Sequence, residues 1–188
     1  MKEKVLVKTA SAKTTIKAEQ KEKQLQTIQH TFEPIYDKES KILILGTFPS
    51  VKSREGEFYY HHPQNRFWKL ISSLTKEPLP ETIADKKAMV LKHHIAIWDV
   101  IYQCDIYGSS DSSIKNVIPN DINQILENCS IEYIIANGDK AYQLYNKYCL
   151  PTTHRECIKM PSTSPANAVW TLERLIESWG KVVQPFSI

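Results

Sequence analysis

A cluster of aromatic and polar side chains between positions 58 and 68 has the clearest capacity for chemistry. Five aromatic residues occur there within eleven positions: Phe58, Tyr59, Tyr60, Phe67 and Trp68. They surround Asn65 and Arg66, which carry an amide and a guanidinium group. Aromatic faces combined with a few polar groups suit a pocket for a flat, polar ligand, and a nucleobase is such a ligand. Aromatic packing at the start of a helix explains the same pattern equally well.

A second polar segment, residues 161–165, has the sequence Pro-Ser-Thr-Ser-Pro. Small hydroxyl side chains between two prolines, just before a predicted helix, form a stiff loop with free N–H and O–H donors. Such a loop can bind phosphate groups. The alternative is that Thr163 or Ser164 only caps the last helix, since both residue types are favoured at helix N-termini.

Several common catalytic and cofactor motifs do not occur in the sequence. It contains no G-x-x-x-x-G-K-[ST], G-x-G-x-x-G or G-x-S-x-G pattern, so nucleoside-triphosphate, dinucleotide and serine-hydrolase functions lose support. The histidine pairs His61-His62 and His93-His94 lack the spacing of a zinc protease. The four cysteines form no C-x-x-C pair. We therefore expect no metal site.

Short apolar runs that alternate with helical patterns must position the polar segments. An apolar run at residues 42–45 ends in a turn at Gly46 and Pro49, as expected for a buried parallel strand. Further strand-like runs follow at residues 95–101, 131–136 and 156–160. Helical patterns occur at residues 66–74, 84–94, 121–128, 140–148 and 166–179. We predict an α/β fold, a three-layer α/β/α sandwich with a short, mostly parallel central sheet of about four strands.

The loops that leave the strand ends are the expected binding site, since ligands of such sheets lie beyond the carboxyl ends of the strands. Residues 46–66 and 161–167 are two of these loops, and Asn137-Gly138 follows a third strand. Residues 105–120 are rich in Ser, Asp, Asn and Gly, which predicts a long surface loop.

The first 30 residues differ in composition from the rest of the 188-residue chain. Residues 1–25 contain seven Lys and three Glu, whereas residues 26–188 carry 17 basic and 18 acidic side chains. We predict a basic, flexible arm over residues 1–30 and one domain over residues 31–188. No run approaches the roughly 18 apolar residues of a membrane span, and the N-terminus lacks an apolar signal core. We therefore expect a cytoplasmic protein without membrane contact.

Four segments together resemble the uracil-DNA glycosylase superfamily. They occur in this order within residues 40–180: Gly46-Thr-Phe-Pro-Ser50, Tyr59-Tyr-His-His-Pro-Gln-Asn-Arg-Phe-Trp68, Asn137-Gly138, and Pro161-Ser-Thr-Ser-Pro-Ala-Asn167. The glycine turn and the His-Pro-x-Asn-Arg-Phe-Trp run resemble the mismatch-specific branch of that family. The Tyr-Tyr pair and the Pro-Ser-Thr-Ser-Pro loop are closer to its hypoxanthine (deoxyinosine) branch.

The resemblance implies base flipping into a pocket and hydrolysis of the base–sugar bond, without metal or cofactor. It implies that Tyr60 stacks on the extruded base. We assign His62 to substrate binding as well: His61 or His62 can supply a donor to the base, and a surface or capping role is the alternative for both. The turn residues that it implies for the pocket floor are Gly46, Thr47, Phe48 and Pro49. The hydroxyls that it implies for contacts with DNA are Ser162, Thr163 and Ser164, and we assign Ser50 and Ser53 to DNA phosphates as well.

The sequence departs from the common family pattern at Phe48. Many members have Asn or Asp there, two residues after the turn glycine, to position or activate the attacking water. The deoxyinosine branch also lacks Asn or Asp at this position. In that branch the Asn of the His-Pro-x-Asn run is implicated in catalysis instead. The matching residue is Asn65, whose amide can orient a water by hydrogen bonds. Asn is also a favoured N-cap for a helix that starts at Arg66, and the two roles are compatible.

We predict a DNA glycosylase without lyase activity that removes a deaminated base, hypoxanthine first and uracil second. Its partner is DNA that contains deaminated bases, and we expect it to act as a monomer. Three alternative functions remain open. One is a non-catalytic reader of damaged DNA, which Phe48 would suit. The second is a hydrolase of free nucleosides, which the lack of an Asp cluster in the pocket loops disfavours. The third is a uracil-preferring mismatch glycosylase.

Overall fold

The computed structural model describes residues 25–183, which form two β-sheets and the helices around them. Its strands are β1 (Gln26–Gln29), β2 (Ile42–Gly46), β3 (Ile95–Asp99), β4 (Ile101–Ile106), β5 (Lys115–Pro119), β6 (Tyr133–Asn137) and β7 (Ile158–Met160). Its helices are α1 (Val51–Glu55), α2 (Phe67–Thr75), α3 (Ile83–Lys92), α4 (Asn123–Leu126), α5 (Asp139–Leu144), α6 (Leu150–Thr153) and α7 (Leu172–Val183). Across this part of the chain, no helix is both long and apolar enough to cross a membrane.

The larger sheet has four parallel strands in the order β3-β2-β6-β7. All residues of β2 and β3 are buried, which accounts for their continuous apolar runs. Helices α2 and α7 pack against each other, and each buries an apolar face in the core. The predicted α/β/α sandwich around a short parallel sheet of about four strands is confirmed.

The smaller sheet is antiparallel, has the order β1-β4-β5, and was missed by the sequence analysis. The prediction of a long surface loop over residues 105–120 is wrong, because β4 and β5 pair across that segment. A short 3-10 helix at Asp111–Ser113 lies between them. The side chains of β5 are mostly exposed, so no buried apolar run marks this strand in the sequence. Its pairing with β4 is what makes it a strand.

Strand β1 corrects the boundary of the predicted N-terminal arm. Its four residues pair antiparallel with residues 103–106 of β4, and alternate side chains are half-buried. The next residue, His30, is buried, and its backbone N–H donates to the Tyr102 carbonyl at 2.6 Å. The folded domain therefore begins before residue 31. The part of the predicted arm at residues 1–24 lies outside the described residues.

Two N-terminal truncations should have different effects. Removal of residues 1–24 should leave the melting temperature unchanged, since it retains the whole of β1. Removal of residues 1–30 deletes β1 and His30, and we expect it to lower the melting temperature by about 5 °C or more, as a loss of about 2 kcal/mol would do in a domain of this size. Differential scanning calorimetry of the two truncated proteins measures this difference. Equal melting temperatures would show that β1 contributes nothing to stability.

The parallel register brings the polar segments to one edge of the sheet. Gly46 of β2 lies opposite Asp99 of β3, and Asn137 of β6 lies opposite Met160 of β7. All four are the last residues of their strands. Because parallel strands end at the same edge, the segments that follow them begin side by side.

Candidate active site

A cavity of about 730 Å³ opens at the carboxyl ends of the parallel strands. Its volume lies in the range of small-molecule sites. All residues that the sequence analysis assigned to base, water or phosphate line it: Gly46, Thr47, Phe48, Pro49, Ser50, Ser53, Tyr60, His62, Asn65, Ser162, Thr163 and Ser164. Further lining residues, which that analysis did not assign, include Phe32, Asp99, Ser109, Asp111 and Asn137. The predicted segments therefore share one pocket.

Asn65 lies on the pocket wall, just before α2. Its Oδ1 accepts a hydrogen bond from the Phe67 backbone N–H at 3.0 Å, which holds the side chain in a turn just before the helix. The predicted N-cap role of Asn65 is wrong, because α2 begins at Phe67 and its N-cap is Arg66. Among the described residues, none accepts a hydrogen bond from its Nδ2. The bond to Phe67 fixes the amide, while Nδ2 and the second lone pair of Oδ1 stay available to a ligand or a water.

Arg66 fastens the segment after β7 to the start of α2. Its guanidinium donates to four backbone carbonyls, those of Thr163, Ser164, Asn167 and Trp170. Its own backbone N–H donates to the Thr163 carbonyl at 3.1 Å. Hydrogen bonds from a charged donor are stronger than neutral ones. Asn65 and the Ser-Thr-Ser loop are consequently held in one rigid unit.

A reciprocal pair of hydrogen bonds joins β6 to the same loop. Asn137 Nδ2 donates to Thr163 Oγ1, and the Thr163 N–H donates to Asn137 Oδ1, both at 3.0 Å. The glycine at position 138 permits this approach. It has φ +108°, and a Cβ there would lie 2.8 Å from Ser162 Cβ. The loop is thus fixed from two sides, by Arg66 and by the end of β6.

Asp99 places a carboxylate at the floor of the pocket. Its side chain is 6% exposed, and Oδ2 lies 2.9 Å from Nε2 of His30, whose side chain is 2% exposed. Since an ionised carboxylate only accepts hydrogen bonds, His30 is the donor. The other oxygen, Oδ1, lies against Gly46, where a Cβ would be only 2.2 Å away. Any side chain at position 46 would displace the carboxylate.

Tyr60 forms the neighbouring part of the floor. Its ring stacks on Phe67 with a centroid distance of 3.9 Å and an interplanar angle of 21°. Its hydroxyl is buried and forms no hydrogen bond of normal geometry with the described residues, although the Asn137 side chain lies near enough to act on its pKa in the lowering direction. Burial, followed by the Asp99 carboxylate, raises the pKa of this phenol well above its usual value. Tyr60 therefore remains neutral and keeps a proton to donate.

The pocket lies in a part of the chain that matches a known protein family. The family model of the uracil DNA glycosylase superfamily matches residues 33–182. The chain belongs to the uracil DNA glycosylase superfamily. The match covers β2 to α7 and every residue assigned to the pocket from the sequence. It excludes β1 and His30, although His30 contacts the pocket residue Asp99.

Two curated relatives are similar to this chain. A hypoxanthine DNA glycosylase of Methanosarcina acetivorans is 34% identical over 149 residues, which cover 78% of this chain and 93% of the relative. A hypoxanthine DNA glycosylase of Methanosarcina barkeri is 34% identical over 115 residues, covering 58% and 71%. A solution NMR structure of a candidate uracil DNA glycosylase from M. acetivorans has a TM-score of 0.74 and 29% identity, covering 87% of this chain and all of the other.

Two of the five hydroxyl side chains assigned to DNA phosphates, those of Thr163 and Ser53, are not available for such contacts in this member of the glycosylase superfamily. The Thr163 side chain is fully buried and its Oγ1 is bonded to Asn137. Ser53 is 3% exposed, and its Oγ takes hydrogen bonds from the Ser50 hydroxyl and the His61 N–H. Both stabilise the loops from inside. Ser50, Ser162 and Ser164 are only partly buried, and their contact with DNA stays a prediction.

Asp99 and His30 are the site residues that the sequence analysis missed. Asp99 ends the apolar run of β3, so its place at the carboxyl end of a strand was the available signal. His30 gave no such signal, because it lies in the segment assigned to the arm. Within the described residues, no group of three or more His, Cys, Asp and Glu side chains is placed to hold a metal ion.

Proposed function

We propose that this protein is a DNA glycosylase that flips hypoxanthine out of DNA and hydrolyses its N-glycosidic bond. The observation that carries the proposal is that Asn65, Tyr60 and Phe48 line one pocket at the sheet edge. Two curated relatives that bear the name hypoxanthine DNA glycosylase support this substrate. An extruded base would enter the cavity with its sugar at the mouth, where the loops meet.

Asn65 positions the attacking water in this mechanism. Cleavage of a glycosidic bond passes through an oxocarbenium-like sugar, as in glycosides. The water oxygen adds to the sugar C1′, the bond electrons leave with the base, and the base takes up a proton. The Asn65 amide is held by Phe67 and can orient the water without acting as a strong base. Phe48 stands at the position where the resemblance implies Asn or Asp in many members, so the water is assigned to the Asn65 amide, which lines the same pocket.

His62 is the proposed donor to the leaving base. Its Nδ1 accepts the Gln64 N–H at 3.2 Å, so in the neutral ring the proton sits on Nε2. His62 lines the pocket, whereas the exposed His61 is not among the lining residues. A donor at a ring nitrogen stabilises the departing purine anion.

DNA binding is assigned to the loops at the pocket mouth. We assign the phosphate contacts to Ser50, Ser162 and Ser164, which lie at the start of α1 and in the loop held by Arg66. Small hydroxyls and free N–H groups at such positions suit phosphate oxygens. Action as a monomer, a cytoplasmic location and an additional DNA contact from the basic arm stay predictions.

Hypoxanthine should be released faster than uracil, by about tenfold or more, because a purine has more area to stack in the aromatic pocket. The measurement is single-turnover kinetics on duplexes that differ only in the lesion, each with the same set of opposing bases. The Asn65→Ala variant serves as the negative control for base release. Faster release of uracil in every context would favour a uracil-preferring enzyme. Tight lesion binding without release of any base would indicate a non-catalytic reader, and activity on free inosine alone a nucleoside hydrolase.

A further inference from the structure

The residues that line the pocket include three with carboxylate side chains: Glu55, Asp99 and Asp111. Two of these carboxylates are paired, Glu55 with Lys52 and Asp99 with His30. Asp111 lies in the connection between β4 and β5, where it begins the short 3-10 helix. Among the described residues, none donates a hydrogen bond to its carboxylate. Asp111 is therefore the lining carboxylate whose oxygens are available to a ligand or a water.

The connection that carries this carboxylate is held against α1 and against the turn after β2. Ser109 Oγ accepts a hydrogen bond from the Val51 backbone N–H at 2.8 Å. The Arg54 guanidinium donates to the Gly108 carbonyl at 3.2 Å and to the Pro49 carbonyl at 2.7 Å. Because one guanidinium holds both segments, this wall of the pocket is fixed relative to the turn at its floor.

Ser113 fixes the local conformation around Asp111. Its Oγ accepts a hydrogen bond from the Tyr107 backbone N–H at 2.9 Å and donates to the Ser110 carbonyl at 2.7 Å. Its backbone N–H donates to the same carbonyl at 2.9 Å. The backbone at position 111 is thus held by its neighbours and not by its own side chain, so a change of the carboxylate should leave the connection in place.

The surroundings of the Asp111 carboxyl group suit a group that takes up a proton near neutral pH. The residue is exposed at the pocket mouth, yet protein atoms around the carboxyl group raise its pKa to about 6 by burial. Lys140 of α5 acts on this pKa in the lowering direction and Asp99 of β3 in the raising direction. General bases work best when their pKa lies close to the working pH.

Hydrolysis of the base–sugar bond releases a proton from the attacking water. As the water oxygen bonds to C1′, one of its O–H bonds breaks, while the electrons of the C1′–N bond leave with the base. An amide such as that of Asn65 can orient the water but is a poor acceptor for this proton. The sugar is cationic in the transition state, and a carboxylate at its side stabilises that charge.

We propose that Asp111 is a catalytic residue whose carboxylate accepts the proton of the water that Asn65 orients. The departing base takes its own proton from His62, as in the proposed mechanism, so the protons balance. The inference rests on the proposed function, because it names the general base of the same reaction. It places on the connection between β4 and β5 the carboxylate that the turn after β2 lacks at Phe48.

Asp111→Asn tests the inference with almost no change of shape. We expect the single-turnover rate of hypoxanthine release at saturating enzyme to fall by about 10²-fold or more, the effect of losing a general base. Binding of a duplex with hypoxanthine on a 2′-fluorinated sugar, which slows cleavage, should be as tight as in the wild type or tighter, since a negative charge near the phosphates is removed. Asp139→Asn removes the same charge from an exposed side chain outside the pocket and should keep the wild-type rate.

Two further measurements separate proton transfer from a structural role of Asp111. Asp111→Glu retains a carboxylate, so it should keep more of the rate than Asp111→Asn. The wild-type rate should fall as the pH is lowered through about 6, where the carboxylate takes up a proton and can no longer accept one. Asp111→Asn should lack this decrease, although Asp99 and Lys140 are retained in it.

A folded Asp111→Asn protein with the wild-type rate, or with the wild-type pH profile, would overturn the inference. A lower melting temperature together with equal rate losses in the Asn and Glu variants would do the same, because it would indicate a structural role. Release of hypoxanthine by both the wild type and Asp111→Asn at equal rates would reject the inference alone. Absence of release by the wild-type protein would reject the proposed function, and the role of Asp111 with it.

Discussion

Asn65→Ala should lower the single-turnover rate of hypoxanthine release by about 10²-fold or more, the effect of losing a positioned catalytic group. The physical reason is that Phe48 cannot hold a water, whereas the Asn65 amide lines the same pocket and can. The measurement is base release at saturating enzyme on a deoxyinosine duplex. Binding of the same duplex should change much less, since the amide acts on the water.

Two variants separate this catalytic role from the local hydrogen bond to the start of α2. Asn65 also accepts the Phe67 N–H, and loss of that hydrogen bond alone costs about 1 kcal/mol of stability. Asn65→Ser retains a short side chain whose oxygen can accept the Phe67 N–H, so it should recover the stability lost in Asn65→Ala while its rate stays low. Gln64→Ala changes an exposed neighbour outside the pocket and should keep the wild-type rate. A folded Asn65→Ala protein with a near-normal rate would exclude Asn65 as the group that positions the water.

Gly46→Ala should reduce base release by about 10²-fold, because the new methyl group would lie 2.2 Å from Asp99 Oδ1. The carboxylate is buried and bonded to His30, so it cannot move aside without breaking that pair. The same overpacking should lower the free energy of unfolding by about 1–3 kcal/mol. Urea denaturation measures the stability, and single-turnover kinetics measure the rate at a temperature where the variant is folded.

Gly56→Ala is the matched control for this substitution. A Cβ at position 56 would also meet a side chain closely, at 2.6 Å from the His61 ring. The His61 side chain is exposed and can move into solvent. We therefore expect nearly wild-type stability and rate for Gly56→Ala. If Gly46→Ala were equally mild, the close packing of Gly46 against Asp99 would have no functional importance.

The sequence by itself determined the parallel sheet and the composition of the pocket. Continuous apolar runs identified β2, β3 and β6, and turn residues such as Gly46 and Pro49 marked where strands end. Because parallel strands end at one edge, residues from distant segments, Asn65 and Ser162 among them, could be placed in one pocket before any contact was known. Local patterns are sufficient for this because each strand is buried on both faces.

Only the tertiary structure decided which of these side chains remain available to a ligand. Thr163 and Ser53 have the residue type of phosphate contacts, yet the hydrogen bond of Thr163 to the distant Asn137 and that of Ser53 to the nearby His61 N–H turn them inwards. Strands β1 and β5 were missed because pairing with β4, and not a local apolar pattern, makes them strands. The same pairing brings His30 to Asp99 across 69 positions of the chain. Contacts at such separation depend on the register of whole strands, which no local spacing of residue types encodes.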